Sequence, residues 1–133
     1  MTDDCVFCSI IEGDIPAHKV YEDEKVVAFL DANPVSRGHT LVVPKEHVET
    51  IYEADGMDYI WDALVEVSRA VRDAFDAEGM NIDQNNGELA GQEVFHLHFH
   101  VTPRYTGDEL EIDYDRDELE DGEEIAERIA EEL

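Results

Sequence analysis

The segment His96-Leu97-His98-Phe99-His100-Val101 alternates strictly between an imidazole and an apolar side chain. A period of two is that of a β-strand, whose successive side chains point to opposite faces. The alternation predicts a strand over Val94–Thr102, ended by Pro103, with Leu97, Phe99 and Val101 turned to a core. His96, His98 and His100 then share the other face, roughly 6–7 Å between successive positions at ~3.3 Å rise per residue. Such a row suits three roles. Imidazoles are metal ligands. A neutral imidazole is a nucleophile, and at an ordinary pKa of ~6.5 roughly half to three-quarters of it is unprotonated near pH 7. A polar strand face without chemistry is the plain alternative, and it suits one histidine better than three.

The rest of the chain supplies a sheet for this strand. Lys19-Val20-Tyr21 and Val26–Leu30 read as hairpin arms across the polar turn Glu22–Lys25. Pro34–Gly38 reads as a loop, and His39–Val43 as a third strand stopped by Pro44. Met57, Ile60, Trp61, Leu64, Val65, Ser68, Val71 and Phe75 recur at steps of three and four and predict one helix face over residues 57–78, with Gly79 as the cap. Met80–Gln84 reads as a fourth strand, broken by Asn85-Asn86-Gly87. Strands outnumber helices and no βαβ rhythm appears, so the predicted class is α+β: an antiparallel sheet of about five strands with one long and one short helix. At 133 residues the chain fits one compact domain, with residues 1–106 as its body. Residues 107–133 carry fourteen acidic residues and only Arg116 and Arg128 as bases. Ile125, Ile129 and Leu133, four apart, predict an amphipathic helix there, packed weakly on the body or on a dimer partner.

Nine Lys and Arg stand against 35 Asp and Glu, a net charge of -26. That balance argues against duplex DNA as the main partner, because such binding runs on cations neutralising phosphates. It also disfavours an anionic membrane surface. No run approaches the ~20 apolar residues of a span. Met1-Thr2-Asp3-Asp4 lacks the basic start of a secretory leader. The expectation is a soluble cytoplasmic protein without nucleic-acid or membrane partners. The carboxylates are spread along the whole chain, so the surface repels itself at low salt. At about 1 M salt the Debye length is only ~3 Å and the repulsion largely vanishes. A halophilic protein, adapted to a salt-rich cytoplasm, is the expectation; an acidic protein of an ordinary cytosol is the alternative.

Upstream of the histidines, Asn85-Asn86-Gly87-Glu88-Leu89-Ala90-Gly91-Gln92 combines glycines that permit a tight loop with neutral amide donors, a composition suited to phosphoryl oxygens. From Asn85 to His100 the sequence resembles the histidine-triad (HIT) family, whose signature is His-x-His-x-His followed by apolar residues. Further blocks match in the family's order: Cys5–Pro16, Phe29–Pro34 and Gly38–His47. The resemblance implies a HIT-like fold over 1–106 and an enzyme: a nucleotide hydrolase or nucleotidyl transferase acting on purine phosphoramidates or dinucleoside polyphosphates. His98 would attack the α-phosphorus, giving a nucleotidyl-histidine that water resolves. Its Nδ1–H would be held by the His96 carbonyl. His100, Gln92 and Asn85 would contact phosphate oxygens, Asp31 the ribose, and Phe7, Ile10 and Leu30 the base. His39 would support the row from the neighbouring strand, or serve as a plain core histidine. Glu93 stands where many relatives carry Ser or Thr, and its role is open. A homodimer is also implied. A metalloenzyme holding its metal on the strand histidines, and a nucleotide-binding protein without chemistry, are the alternatives.

Cys5 and Cys8 form a CxxC. No thioredoxin-like unit surrounds it, which argues against redox work. As half of a zinc site it needs two more ligands, for which His47 and His96 are candidates. The resemblance implies Cys5, Cys8, His47 and His96 as a closed, structural zinc set.

The charge pattern makes a direct prediction: the melting temperature rises as KCl is raised toward molar concentration. A melting temperature that stays flat or falls overturns the high-salt assignment.

Overall fold

The computed structural model describes residues 4–111 and 113–133, so Met1–Asp3 and Ile112 lie outside the described residues. The leader reading at the N-terminus therefore rests on sequence alone. Five strands form one antiparallel sheet: β1 (Lys19–Glu22), β2 (Val26–Leu30), β3 (Thr40–Pro44), β4 (Gly79–Asp83) and β5 (Phe99–Arg104), in the order β1-β2-β3-β5-β4. Three helices accompany it: α1 (Val6–Ile11), α2 (Tyr59–Phe75) and α3 (Gly122–Ala130). The expected α+β architecture with a five-stranded antiparallel sheet is borne out. Among the described residues no helix is long and apolar enough to cross a membrane.

Local chemistry explains the first hairpin. The Asp23 carboxylate accepts from Lys25 N–H at 2.7 Å and Val26 N–H at 2.8 Å, closing the turn before β2. β2 and β3 are apolar on both faces because both are covered. Val26, Ala28, Val42, Leu97 and Val101 pack against α2 through Ile60, Ala63, Leu64, Val67 and Val71. On the other face Val27, Phe29, Leu41 and Val43 pack against Phe7 and Ile10 of α1. Each fully buried side chain of this size stabilises the fold by roughly 1.5–3 kcal/mol.

Several details depart from the sequence expectations. α2 ends at Phe75, not near Gly79: Asp76 takes the left-handed conformation, φ 51°, and its N–H reaches Arg72 C=O. Aspartate is among the few side chains that visit this region, and Gly79 is thereby released to open β4 opposite Arg104. Trp61 is 66% exposed. The buried stripe runs through Ile60, Ala63, Leu64, Val67 and Val71, one position off the tryptophan. Regular β5 begins at Phe99 and includes Pro103, which pairs with Met80. The β3 ladder stops at Thr40↔Val101, so Pro103 faces no strand that needs its missing N–H, and its carbonyl accepts from Ser36 Oγ at 2.8 Å.

His96 and His98 precede the regular strand, yet their alternation survives. Leu97 donates its N–H to Val48 C=O at 2.8 Å, which keeps this stretch beside the segment leaving β3. In the extension, the helix forms as α3, but none of its side chains is buried, and Ile125, Ile129 and Leu133 are exposed. The expected packing on the body is not found among the described residues: the helix's apolar residues meet no core.

Candidate active site

The three histidines of the row enter three different environments. His98 lies 8% exposed, with the edge of Phe7 against it at 5.0 Å between ring centroids. Its Nδ1 is 2.7 Å from the His96 carbonyl oxygen. A carbonyl only accepts, so Nδ1 carries the proton and Nε2 of the neutral ring holds a lone pair. Burial lowers the His98 pKa, and the carbonyl contact offsets part of that shift.

His100 belongs to a second chain of hydrogen bonds. Val35 N–H donates to His39 Nδ1 at 3.2 Å, so neutral His39 carries its proton on Nε2. That Nε2–H donates to His100 Nδ1 at 2.9 Å. Neutral His100 is thus left with an N–H at Nε2. Asp31 Oδ2 stands 3.6 Å from His39 Nε2 and 4.0 Å from His100 Nδ1. Burial lowers the pKa of both rings, while Asp31 opposes the shift.

His96 is fully buried and turned away from its two neighbours. Its Nε2–H donates to Pro44 C=O at 2.8 Å, which leaves Nδ1 as a lone pair. That lone pair faces Cys5 Sγ at 3.3 Å, Cys8 Sγ at 3.4 Å and His47 Nδ1 at 3.0 Å, while Cys8 Sγ and His47 Nδ1 are 3.3 Å apart. In a tetrahedral zinc site with bonds of ~2.0 Å to nitrogen and ~2.3 Å to sulfur, ligand atoms lie about 3.3–3.8 Å from one another. The four donors fit that cage with small adjustments. With no cation counted, burial foremost and then the Cys5 thiol beside it push the Cys8 thiol up to about 12. Burial pushes His96 down to about 4, so its ring is neutral at physiological pH.

His98 and His100 open on a cleft of about 900 Å³. Phe7 and Ile10 of α1, Leu30 at the end of β2, and Asp31 line it as well. Six of the residues expected at a nucleotide are thus gathered in one cleft. Asn85 and Gln92 are not among its walls. Gln92 requires correction. It is 3% exposed; its Oε1 accepts from Gly87 N–H at 2.8 Å, and its Nε2 donates to Glu49 C=O at 2.7 Å and Val94 C=O at 3.1 Å. The whole amide is committed to holding its own loop and has no donor left for phosphate. Asn85 lies beside Gly91, its Nδ2 3.5 Å from where a Gly91 Cβ would stand. Gly91 itself, at φ 100°, lines the cleft, as does Glu93, whose place the sequence left open. Ile15, Val94 and His18 also reach the cleft and were not singled out from the sequence. Nothing in their spacing marks them, although Ile15 and Val94 fall in matched blocks. The three strand histidines do not converge on one metal position: the ring of His96 faces the cysteines, His98 Nδ1 is occupied by a carbonyl, and His100 pairs with His39, although Asp31, His39 and His100 bring three possible metal donors together.

Comparison with known proteins places the chain in a family. The model of the HIT domain family matches residues 12–107. Protein hit of Bacillus subtilis is 53% identical over 105 residues, covering 77% of this chain and 72% of that protein. The adenosine 5'-monophosphoramidase hnt1 of Schizosaccharomyces pombe is 42% identical over 100 residues, 75% of this chain and 74% of that one. The crystal structure of a HIT family member from Bacillus subtilis superposes with a TM-score of 0.90 at 44% identity, covering 98% of both chains. A Zn-bound histidine triad family protein from Mycobacterium smegmatis gives a TM-score of 0.76 at 42% identity over 88% of this chain and 86% of that one.

The Gln92 correction can be tested. Gln92→Ala strands two carbonyls and one N–H, and loss of buried hydrogen bonds of this kind costs about 2–4 kcal/mol. Denaturant unfolding should show that loss. Unchanged stability with weakened nucleotide binding would return Gln92 to the phosphate.

Proposed function

The chain belongs to the HIT family, and on that footing we propose that it hydrolyses or transfers the nucleotidyl group of a purine nucleotide derivative through a covalent intermediate on His98. The observation that carries the proposal is the 2.7 Å contact between His98 Nδ1 and the His96 carbonyl. That bond selects the tautomer and aims an unprotonated Nε2 at the cleft. Relatives named as hydrolases of nucleotide derivatives, such as the Schizosaccharomyces pombe phosphoramidase, support the reaction class.

In this mechanism the base lies against Phe7, Ile10 and Leu30, and the ribose hydroxyls meet Asp31. The lone pair of His98 Nε2 forms a bond to the α-phosphorus while the bond to the leaving group breaks and its electron pair departs with that group. His100 Nε2–H, held in that tautomer by His39 Nε2–H at its Nδ1, is placed to donate a hydrogen bond to the departing atom, which takes its proton from a water in the cleft and leaves hydroxide. The His96 carbonyl stabilises the positive charge that the His98 ring acquires. The hydroxide left by that water then attacks phosphorus, the phosphorus–nitrogen bond breaks with its electron pair returning to His98 Nε2, and His98 returns to its starting state. The same cleft without chemistry would serve as a nucleotide-binding module, which the trapping experiment below separates.

The proposal includes a zinc ion on Cys5, Cys8, His47 and His96, supported by the donor spacing and by the Zn-bound relative. With four protein ligands it has no open position and is structural, supplying a pin between the N-terminal segment and the histidine stretch. A homodimer in a salt-rich cytoplasm completes the reading. The large exposed side chains of Trp61 and Tyr52 support an interface, and the charge of -26 supports the salt.

His98→Ala should lower hydrolysis of adenosine phosphoramidate at least 10³-fold, and quenched wild-type reactions should yield a peptide nucleotidylated on His98 by mass spectrometry. Equal turnover by both proteins ends the proposal. Because burial lowers the His98 pKa, the nucleophile stays neutral below the ordinary imidazole value. The acidic limb of kcat/KM should therefore fall below about pH 6.5. Metal analysis of freshly purified, unchelated protein should find one zinc per chain, lost in Cys8→Ser together with thermal stability. Zinc-free wild-type protein retires the metal.

A further inference from the structure

The cleft that holds His98 and His100 is built without a cation. Among the described residues that line it there is no lysine and no arginine; its ionisable groups are His18, Asp31, His39, Glu93, His98 and His100. Its two carboxylates flank the reacting rings. Asp31 stands within 4.0 Å of His100 Nδ1. Glu93 sits on the cleft wall, and its charge, with those of Asp31 and Asp83, is felt at His100.

The position of Glu93 is held by its neighbour. Gln92 ties Val94 C=O at 3.1 Å and Glu49 C=O at 2.7 Å, so the backbone on either side of Glu93 is clamped to the segment that follows β3. The backbone of Glu93 is therefore held at the cleft wall, and its side chain is exposed to solvent there.

These charges sort substrates. A dinucleoside polyphosphate brings several further negative charges beyond the reacting phosphorus, and no side chain of the cleft offsets them. Like charges placed opposite one another act against binding. A phosphoramidate carries one negative charge at phosphorus, which His98 and His100 face. If its amine bears a second, protonated nitrogen, that cation meets a carboxylate.

We propose that Glu93 is a specificity-determining residue that selects nucleotidyl phosphoramidates whose leaving amine carries a distal positive charge, such as a diamine or a basic amino acid, and disfavours polyphosphates. The proposal rests on the nucleotidyl-transfer reading above and names its substrate class. In the step concerned, the bond from His98 Nε2 to phosphorus forms, the phosphorus–nitrogen bond of the substrate breaks, and its electron pair leaves with the amine. That amine takes its proton from a water in the cleft, which His100 Nε2–H assists by a hydrogen bond to the departing nitrogen, and the hydroxide so formed resolves the intermediate. Glu93 exchanges no proton; it binds the remote ammonium.

The test uses three substrates of one nucleoside: the propylamine phosphoramidate, the diaminopropane phosphoramidate and a dinucleoside tetraphosphate. kcat/KM is measured for wild type, Glu93→Gln and Glu93→Lys, at low salt and at about 1 M KCl. Ratios between substrates within one protein cancel any difference in folded fraction. The wild type should favour the diaminopropane compound over the propylamine compound by about fivefold at low salt, the strength of a favourable solvent-exposed ion pair. The ratio should fall toward one in Glu93→Gln, reverse in Glu93→Lys, and shrink for wild type at high salt. The tetraphosphate should gain relative to the propylamine compound in both variants. A wild-type ratio of one, or a ratio unmoved by both substitutions, overturns the role of Glu93 while leaving the nucleotidyl-transfer reading in place. No turnover of either phosphoramidate by wild type overturns that reading and this proposal with it.

Discussion

One hydrogen bond organises this molecule: His98 Nδ1–H to the carbonyl of His96, at 2.7 Å. An imidazole has two nitrogens, and a single proton must be kept on one of them if the other is to act as a nucleophile. A side-chain acceptor could rotate or titrate. A backbone carbonyl two residues earlier does neither, provided the backbone itself is held. Much of the surrounding structure supplies that hold: Leu97 N–H is tied to Val48 C=O, Leu97 is sunk in the core beneath α2, and the His96 ring is locked by Pro44 C=O on its far side.

The period of two makes this possible on a short stretch of chain. Leu97, Phe99 and Val101 go to the α2 side of the sheet, and the three histidines go to the α1 side. The stretch bends before regular β5 begins, so the histidines do not form one flat row. His96 turns to Cys5, Cys8 and His47, His98 to the cleft, and His100 to His39. Identical side chains thereby acquire different protonation behaviour. His96, fully enclosed, is held near 4 by burial. His100 is lowered by burial but sees Asp31, Asp83 and Glu93, which favour its charged form.

The acidity of the chain and the neutrality of the His98 ring are compatible because they occupy different media. Carboxylates on the surface are solvated and screened by salt. The rings beneath are largely removed from water, where desolvation disfavours charge. At the cleft wall, where Asp31 and Glu93 stand among the histidines, the two regimes touch.

Much of this was legible in the residues. Alternation at His96–Val101 gave the strand faces and the spacing of Ile60, Leu64 and Val71 gave the helix, since each of these is a local pattern with a physical period; the CxxC marked half of a candidate metal-ligand set, which the family resemblance completed with His47 and His96. Gln92, Asp76 and Trp61 were not legible in that way. A glutamine beside glycine has donors for either a phosphate or a loop, and only the approach of Glu49 and Val94 decides between them. Asp76 caps the helix three residues before Gly79, which instead opens β4 opposite Arg104, and Trp61 was left outside by a stripe one position away. Local sequence determined which side chains share a face and which atoms can donate or accept. Tertiary structure decided which of those atoms find each other, because partners 40 to 90 residues apart meet only through the packing of the sheet, and no spacing along the chain encodes that.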